Sequence, residues 1–164
     1  MDTEAYEKFL GAAFRFLSFR QRSIKELREF LEKKAQKIED GASVIPRVMD
    51  RLRELDYAND EKFAQWWISS RMGRKPKGAQ LVAHELAQKG VDKEIIAAAM
   101  EAAGGQEGQI EAAKRALAPK LRIWVALPTM EQKRKLYECL GRRGFSSLVT
   151  SRVIDWATKN AYNT

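Results

Sequence analysis

The sequence predicts an all-α fold: three tandem three-helix repeats stacked into an elongated, curved array. Three observations predict it. Apolar residues recur at i, i+3, i+4, i+7 along nearly all of the 164 residues, and no stretch alternates with the period of a strand. Gly, Pro and capping residues interrupt that pattern often enough to make short helices. The interruptions themselves repeat: Val82-x-x-x-Leu86-x-x-Lys89-Gly90-Val91 matches Leu136-x-x-x-Leu140-x-x-Arg143-Gly144-Phe145 at a constant offset of 54 residues. Three copies are about the minimum for stacked repeats to bury one another's faces.

The elements run in order along the chain. Tyr6, Phe9, Leu10, Ala13, Phe14 and Leu17 form the buried stripe of a first helix. Ser23 to Glu26 is a capping box opening a second, continued by Leu27, Phe30 and Leu31. Ser43 and Pro46 suit the start of a third, with Val44, Val48, Leu52 and Leu55 on its apolar face. The second repeat starts at a cap formed by Asn59-Asp60, runs through Phe63, Trp67 and Ile68, and stops near Met72-Gly73. Leu81, Val82 and Leu86 make its middle helix, and Asp92 caps a helix carrying Ile95, Ile96 and Met100. Gly104-Gly105 breaks the chain, and Gly104 to Gly108 reads as a linker because no strand precedes it. The third repeat begins near Glu107, is kinked or shortened by Pro119, restarts at a Thr129-to-Gln132 capping box, and closes with Val149, Val153 and Trp156. Gly90 and Gly144 sit where a left-handed residue ends a helix without a Cβ penalty. The first copy has Ala35 there, so its helix runs on, and about four extra residues around Glu39-Asp40-Gly41 delay its third helix. The repeats therefore span 1–57, 58–103 and 104–164.

Composition narrows the function. No apolar run reaches the roughly 18–20 residues of a membrane span, and Met1-Asp2-Thr3-Glu4 leads into no apolar core of a secretory signal. One Cys permits neither an internal disulfide nor a Cys-rich zinc site, so a reducing cytoplasm is expected, with no metal or cofactor. Neither G-x-x-x-x-G-K-[ST], H-E-x-x-H nor G-x-S-x-G occurs. Thirty Lys and Arg against 22 Asp and Glu give +8, and the excess is uneven: net +1, +1 and +6 over the three repeats. Such a balance favours an anionic partner, nucleic acid first.

Three clusters are candidates for that contact. Arg71, Arg74, Lys75 and Lys77 crowd a turn containing Gly73, Pro76 and Gly78, which reads either as a phosphate- or acid-binding loop or as a solubilised turn complementing a helix dipole. Arg142 and Arg143 before Gly144 share that ambiguity, and Lys133, Arg134 and Lys135 upstream on the same helix extend the basic surface. Arg20 and Arg22 flank a helix junction and read better as local electrostatics. Trp67, Trp124, Phe145 and Trp156 fall on apolar faces and read as packing rather than base-stacking platforms, while Trp66 cannot share Trp67's direction. His84 stands alone as a surface or interface residue, and Cys139 reads as a small buried hydrophobe.

Four segments, in order from residue 20 to 145, carry a resemblance: Arg20-Gln21-Arg22-Ser23-Ile24-Lys25-Glu26-Leu27; Leu55-Asp56-Tyr57-Ala58-Asn59-Asp60-Glu61-Lys62-Phe63-Ala64; Arg71 with Gly78, Glu85-Leu86 and Lys89-Gly90-Val91; and Lys135-Leu136-Tyr137 with Leu140 and Arg142-Arg143-Gly144-Phe145. Together they resemble the RecX family of bacterial recombinase regulators, departing from it in Asn59, where the first Asp of a D-D pair is usual, and in a longer loop after Lys37. The resemblance implies a protein without catalytic activity that binds the RecA–DNA filament along its groove, suppresses filament growth and activities, and so negatively regulates homologous recombination and DNA repair. It implies as partners the RecA filament and single- or double-stranded DNA, and the expectation is a monomer. Charge and missing active-site motifs alone fit equally a nonspecific DNA-binding helical protein without a dedicated recombinase partner.

Overall fold

The structure, a computed structural model, describes residues 2–38 and 41–160. Among them there are nine α-helices and no strand: α1 (Asp2–Phe19), α2 (Ile24–Ala35), α3 (Ile45–Glu54), α4 (Asp60–Arg71), α5 (Ala79–Gln88), α6 (Lys93–Ala102), α7 (Gly105–Trp124), α8 (Thr129–Arg142) and α9 (Ser147–Asn160). Helices pack within trios, α1–α3, α4–α6 and α7–α9, and α6 packs on α7 between trios. Each trio closes on its own core. Phe9, Leu27, Leu31, Val48 and Leu52 fill the first, Phe63, Ile68, Val82 and Leu86 the second, and Leu117, Leu136, Leu140 and Val153 the third. Met72 packs against both the second and the third. Three small cores leave much surface exposed. The accessible area is 10214 Å², against about 8,300 Å² for a compact globule of this mass.

Local chemistry explains most helix ends. The Ser23 Oγ accepts from the Glu26 amide at 3.1 Å while the Glu26 carboxylate accepts from the Ser23 amide at 3.2 Å, completing the capping box. The Asn59 side chain accepts from the Lys62 amide, and Ser146 Oγ from that of Val149. Gly90 and Gly144 both have φ of +80°. After each, the next amide returns to the helix: Val91 to the Leu86 carbonyl and Phe145 to that of Leu140, both at 3.2 Å. Asp56, at φ +61°, ends α3 in the same way, its carboxylate held by Lys62 and Asn59. With Ala35 at the equivalent register, α2 does run on, two residues further than α5; Glu39 and Asp40 lie outside the described residues.

Several expectations are overturned. Gly104 and Gly105 are both left-handed, at φ +99° and +51°, as a chain break requires, but Gly105 to Gly108 form the first turn of α7 rather than a linker. Pro119 does not shorten that helix, which continues five residues beyond it. Thr129 is the first residue of α8 and makes no side-chain cap, because Pro128 occupies the N-cap position. Val44, not Ser43, precedes α3, and Asp92 stands at its N-cap without a side-chain bond. Leu55 and Trp156 are exposed rather than core; the Trp156 ring instead lies beneath the Lys114 ammonium.

Two joints hold the trios in line. In each, the corner between the first and second helix of one trio lands on the next trio's first helix and on the C-terminal turn of its middle helix. At the first, the Ile24 amide donates to Asp60 on α4 at 2.9 Å, and Lys25 Nζ to the Gln88 carbonyl at the end of α5. At the second, the Ala79 amide donates to Gln109 on α7 at 2.7 Å, and the Gly78 and Gln80 amides to the Arg143 and Gly144 carbonyls at the end of α8. The otherwise orphaned amides at the start of α5 are thus satisfied by the neighbouring repeat.

Candidate nucleic-acid interface

The second joint gathers the predicted basic residues and sorts them. The turn 72–78 lies against the end of α8, so Arg74 and Lys75 come close to Arg142 and Arg143, which are nearly 70 residues away in sequence. Their tasks differ. Arg71 Nε and Lys77 Nζ both bind the Glu85 carboxylate, at 2.6 and 2.5 Å, and the Arg71 guanidinium also covers the Trp67 ring at 4.2 Å. The Arg143 guanidinium donates to the Pro76 carbonyl at 3.2 Å, clasping the turn. These three cations are committed to the architecture. Arg74 and Lys75 are exposed with no partner among the described residues, and Arg142 is 73% exposed with only a 4.0 Å approach to Glu138.

Glu85 is the pivot of this arrangement. Burial pushes its carboxyl up, but hydrogen bonds from Lys77, Arg71 and the Trp67 indole outweigh that and hold it below the usual carboxylate range. An ionised Glu85 fixes two cations beneath the turn and leaves Arg74 and Lys75 to project above it. The exposed stretch from Gly73 to Lys75, with two cations and no carboxylate on it, is suited to an anionic surface.

The second basic group is split by helix geometry. Lys135 and Arg142, seven residues apart, share one face of α8, where Glu131 and Glu138 interleave with them; Lys135 approaches Glu131 at 3.5 Å. Lys133 and Arg134 are exposed on other faces without ion pairs among the described residues, and Lys133 lies about 13 Å along the helix from Arg142. The Arg143 clasp therefore brings the end of α8, with the adjoining Arg142, to the turn and leaves Lys133 and Arg134 as a separate basic face.

Sequence reading missed Arg115. It projects from α7, exposed, and donates to the Met72 carbonyl at 3.3 Å, bringing a fourth solvent-facing cation to the patch of Arg74, Lys75 and Arg142. Its sequence neighbourhood carries no signal, because the turn it joins is 43 residues away.

At the first joint, Arg20 and Lys89 both bind Glu26, each at 2.7 Å, while Arg20 also lies over Trp66 and Lys89 over Trp67. Arg22 covers the Phe16 ring and donates to the Phe16 carbonyl. Both arginines are thus tied into the junction, Arg20 reaching the next trio through Trp66, and both tryptophans serve packing. His84 is on the surface, bonded to Gln88, and Cys139 is buried. Among the described residues no cluster of His, Cys, Asp or Glu could hold a metal ion, and no helix is long and apolar enough to cross a membrane.

Comparison with known proteins gives this architecture a context. The family model for the second three-helix domain of RecX matches residues 59–100. The regulatory protein RecX of Bacillus subtilis is 34% identical over 149 residues, covering 91% of this chain and 54% of that protein. Its namesake from Listeria welshimeri is 33% identical over 142 residues, covering 87% and 51%. The chain spans about half the length of the curated relatives it matches. The crystal structure of RecX from Lactobacillus salivarius superposes with a TM-score of 0.80 at 24% identity, covering 95% of this chain and 98% of that one. A second crystal structure, of regulatory protein RecX, gives 0.74 at 22% identity, covering 93% and 74%. These likenesses show the fold to be that of RecX proteins.

Proposed function

The chain belongs to the RecX family, and from that premise we propose that it is a non-catalytic, cytoplasmic negative regulator of homologous recombination and DNA repair that binds a RecA–DNA filament and inhibits its growth and activities. One arrangement supports the reading at particular residues: Arg74 and Lys75 on the turn, Arg115, which donates to the turn's Met72 carbonyl, and Arg142, next to the Arg143 that clasps the turn, are exposed cations around one joint. The repeats 1–57, 58–103 and 104–164 act as the units of a rod, with helices of 10–20 residues that are about 15–30 Å long. A rod of three such units touches more than one protomer of a polymer, and its weak contacts add through effective concentration. Occupying the groove blocks incoming DNA; binding at an end stops addition of subunits.

The test is inhibition of single-stranded-DNA-dependent ATPase activity by the cognate recombinase, measured beside free-DNA affinity for wild type and Arg74→Glu/Lys75→Glu. Loss of inhibition with a salt slope lowered by roughly 0.7–0.9 per lost contact supports phosphate binding at the patch. Wild-type protein that binds DNA but leaves the ATPase untouched would leave a nonspecific DNA-binding protein instead.

A further inference from the structure

The three corners between first and second helices are not equivalent. The first, Arg20 to Ser23, lands on the second trio, and the second, Met72 to Gly78, on the third. The third corner, between α7 and α8, has no further trio to land on among the described residues. It is also built differently. From residue 118 to 131 no side chain is buried, whereas Leu117 and Gln132 on either side are. Seven residues of α7 beyond Leu117 rise about 10 Å, so the hairpin tip extends past the fully buried part of its core, anchored to it by Leu121 and Trp124.

The tip carries an apolar centre and a cationic rim. Ile123, Val125 and Met130 are 67, 53 and 81% exposed. Lys120 and Arg122 on the α7 side and Lys133 and Arg134 on the α8 side, all exposed, flank them along the chain. Between 112 and 137 the chain has seven cations and a single carboxylate, Glu131, which pairs with Lys135. Exposed aliphatic residues ringed by one sign of charge have the anatomy of a protein-interface core and rim. A base-stacking surface would present aromatic faces, and the nearest indole, Trp124, is half-buried against the third core with Lys120 over its ring.

We propose that the α7–α8 tip is a protein-docking element that inserts Ile123, Val125 and Met130 into an apolar pocket rimmed by carboxylates on the recombinase protomer, leaving the Arg74–Arg142 patch to the DNA. This rests on the functional reading above, and names which part of the chain reads protein and which reads phosphate. The two equivalent corners each dock onto protein within the molecule, through backbone amides and charged side chains, so a third docking corner reuses their position with apolar chemistry of its own.

The experiment compares wild type, Ile123→Glu/Met130→Glu and Arg74→Glu/Lys75→Glu for affinity to bare single-stranded DNA and to recombinase filaments on the same DNA. Tip residues are exposed, so circular dichroism and melting should match wild type. The tip variant should keep bare-DNA affinity within about twofold and lose at least about tenfold on the filament, the effect of withdrawing two buried aliphatic side chains; Met130→Leu should bind as wild type. The patch variant should lose bare-DNA affinity. A tip variant that loses bare-DNA affinity as much as filament affinity would overturn the assignment in favour of a nucleic-acid wedge, and one with full filament binding would show that the tip docks nothing. Wild type that ignores the filament overturns the functional reading, and with it the partner named here.

Discussion

The two joints solve one packing problem with different chemistry. The first is made by side chains: Glu26 is shared between Arg20 and Lys89, Asp60 takes the Ile24 amide, and the Lys25 stem lies against Gly90. The second is made by backbone: a Cβ added to Gly78 would collide with the Gly144 carbonyl and the Phe145 amide, and one added to Gly144 with Leu81. Flexible ionic contacts can yield by small rotations, whereas main chain against main chain cannot. The difference teaches that the exposed cations Arg74, Lys75, Arg115 and Arg142 stand around the stiffer joint.

The comparison breaks most readily at Gly78. Gly78→Ala should destabilise by about 3 kcal/mol, since the clash is with backbone and opening it also breaks three amide bonds to the third trio. Chemical denaturation would check it, and an unchanged midpoint would show that the joint is looser than its geometry. Glu26→Gln comes next, at about 2 kcal/mol, because it leaves Arg20 and Lys89 without their shared carboxylate. That joint should also be acid-sensitive. Burial acts to raise the Glu26 carboxyl, but hydrogen bonds from Arg20, Lys89 and the Ser23 amide bring it down to about 2. A depressed carboxylate stabilises the fold fully above its ordinary value of 4.5 and progressively less as pH falls from there towards about 2. Asp60, raised chiefly by burial and by Asp92 and Glu26, works weakly in the other direction. Melting temperatures in that window should therefore fall more for wild type than for Glu26→Gln.

Gly90→Ala should cost about 1–2 kcal/mol, the strain of φ +80° with only the mobile Lys25 stem to displace. Setting it beside Gly78→Ala sharpens the contrast directly, since a larger loss at Gly90 would reverse the ranking of the joints. Smallest is the pair at the end of α8. Arg143→Ala should lower stability by about 1 kcal/mol through the lost Pro76 clasp, while Arg142→Ala should stay within about 0.5. Equal losses in thermal denaturation would mean that Arg142 also holds the joint.

Features written in a few adjacent residues were legible in the sequence: the Ser23 box, the Asn59 cap, the terminators Gly90 and Gly144, and the helical stripes. The Thr129 box matched its motif and still failed, because Pro128 placed the helix start one residue early. The roles of the cations were illegible for a different reason. Nothing near Arg71 or Lys77 says that Glu85 will take both, and nothing near Arg143 points to the Pro76 carbonyl. Much of the family pattern, from Arg20 and Glu26 to Gly78, Glu85 and Lys89, turns out to build joints. Of the exposed cations offered to a partner, Arg74, Lys75 and Arg115 lie outside that pattern or between its landmarks, and Arg142 falls within it.

The order of the joints has one last consequence. Each middle helix meets the next with its amino end against the other's carboxyl turn, α2 on α5 and α5 on α8, and never the reverse. The helix dipoles at both contacts are therefore opposed in sign and mutually attractive, and the array possesses a direction, like an arrow with a distinct head and tail. An arrow laid on a polymer that itself has direction fits in one orientation and not its opposite. The tip and the cationic patch, both towards the α8 end, would then always face the same way along the strand.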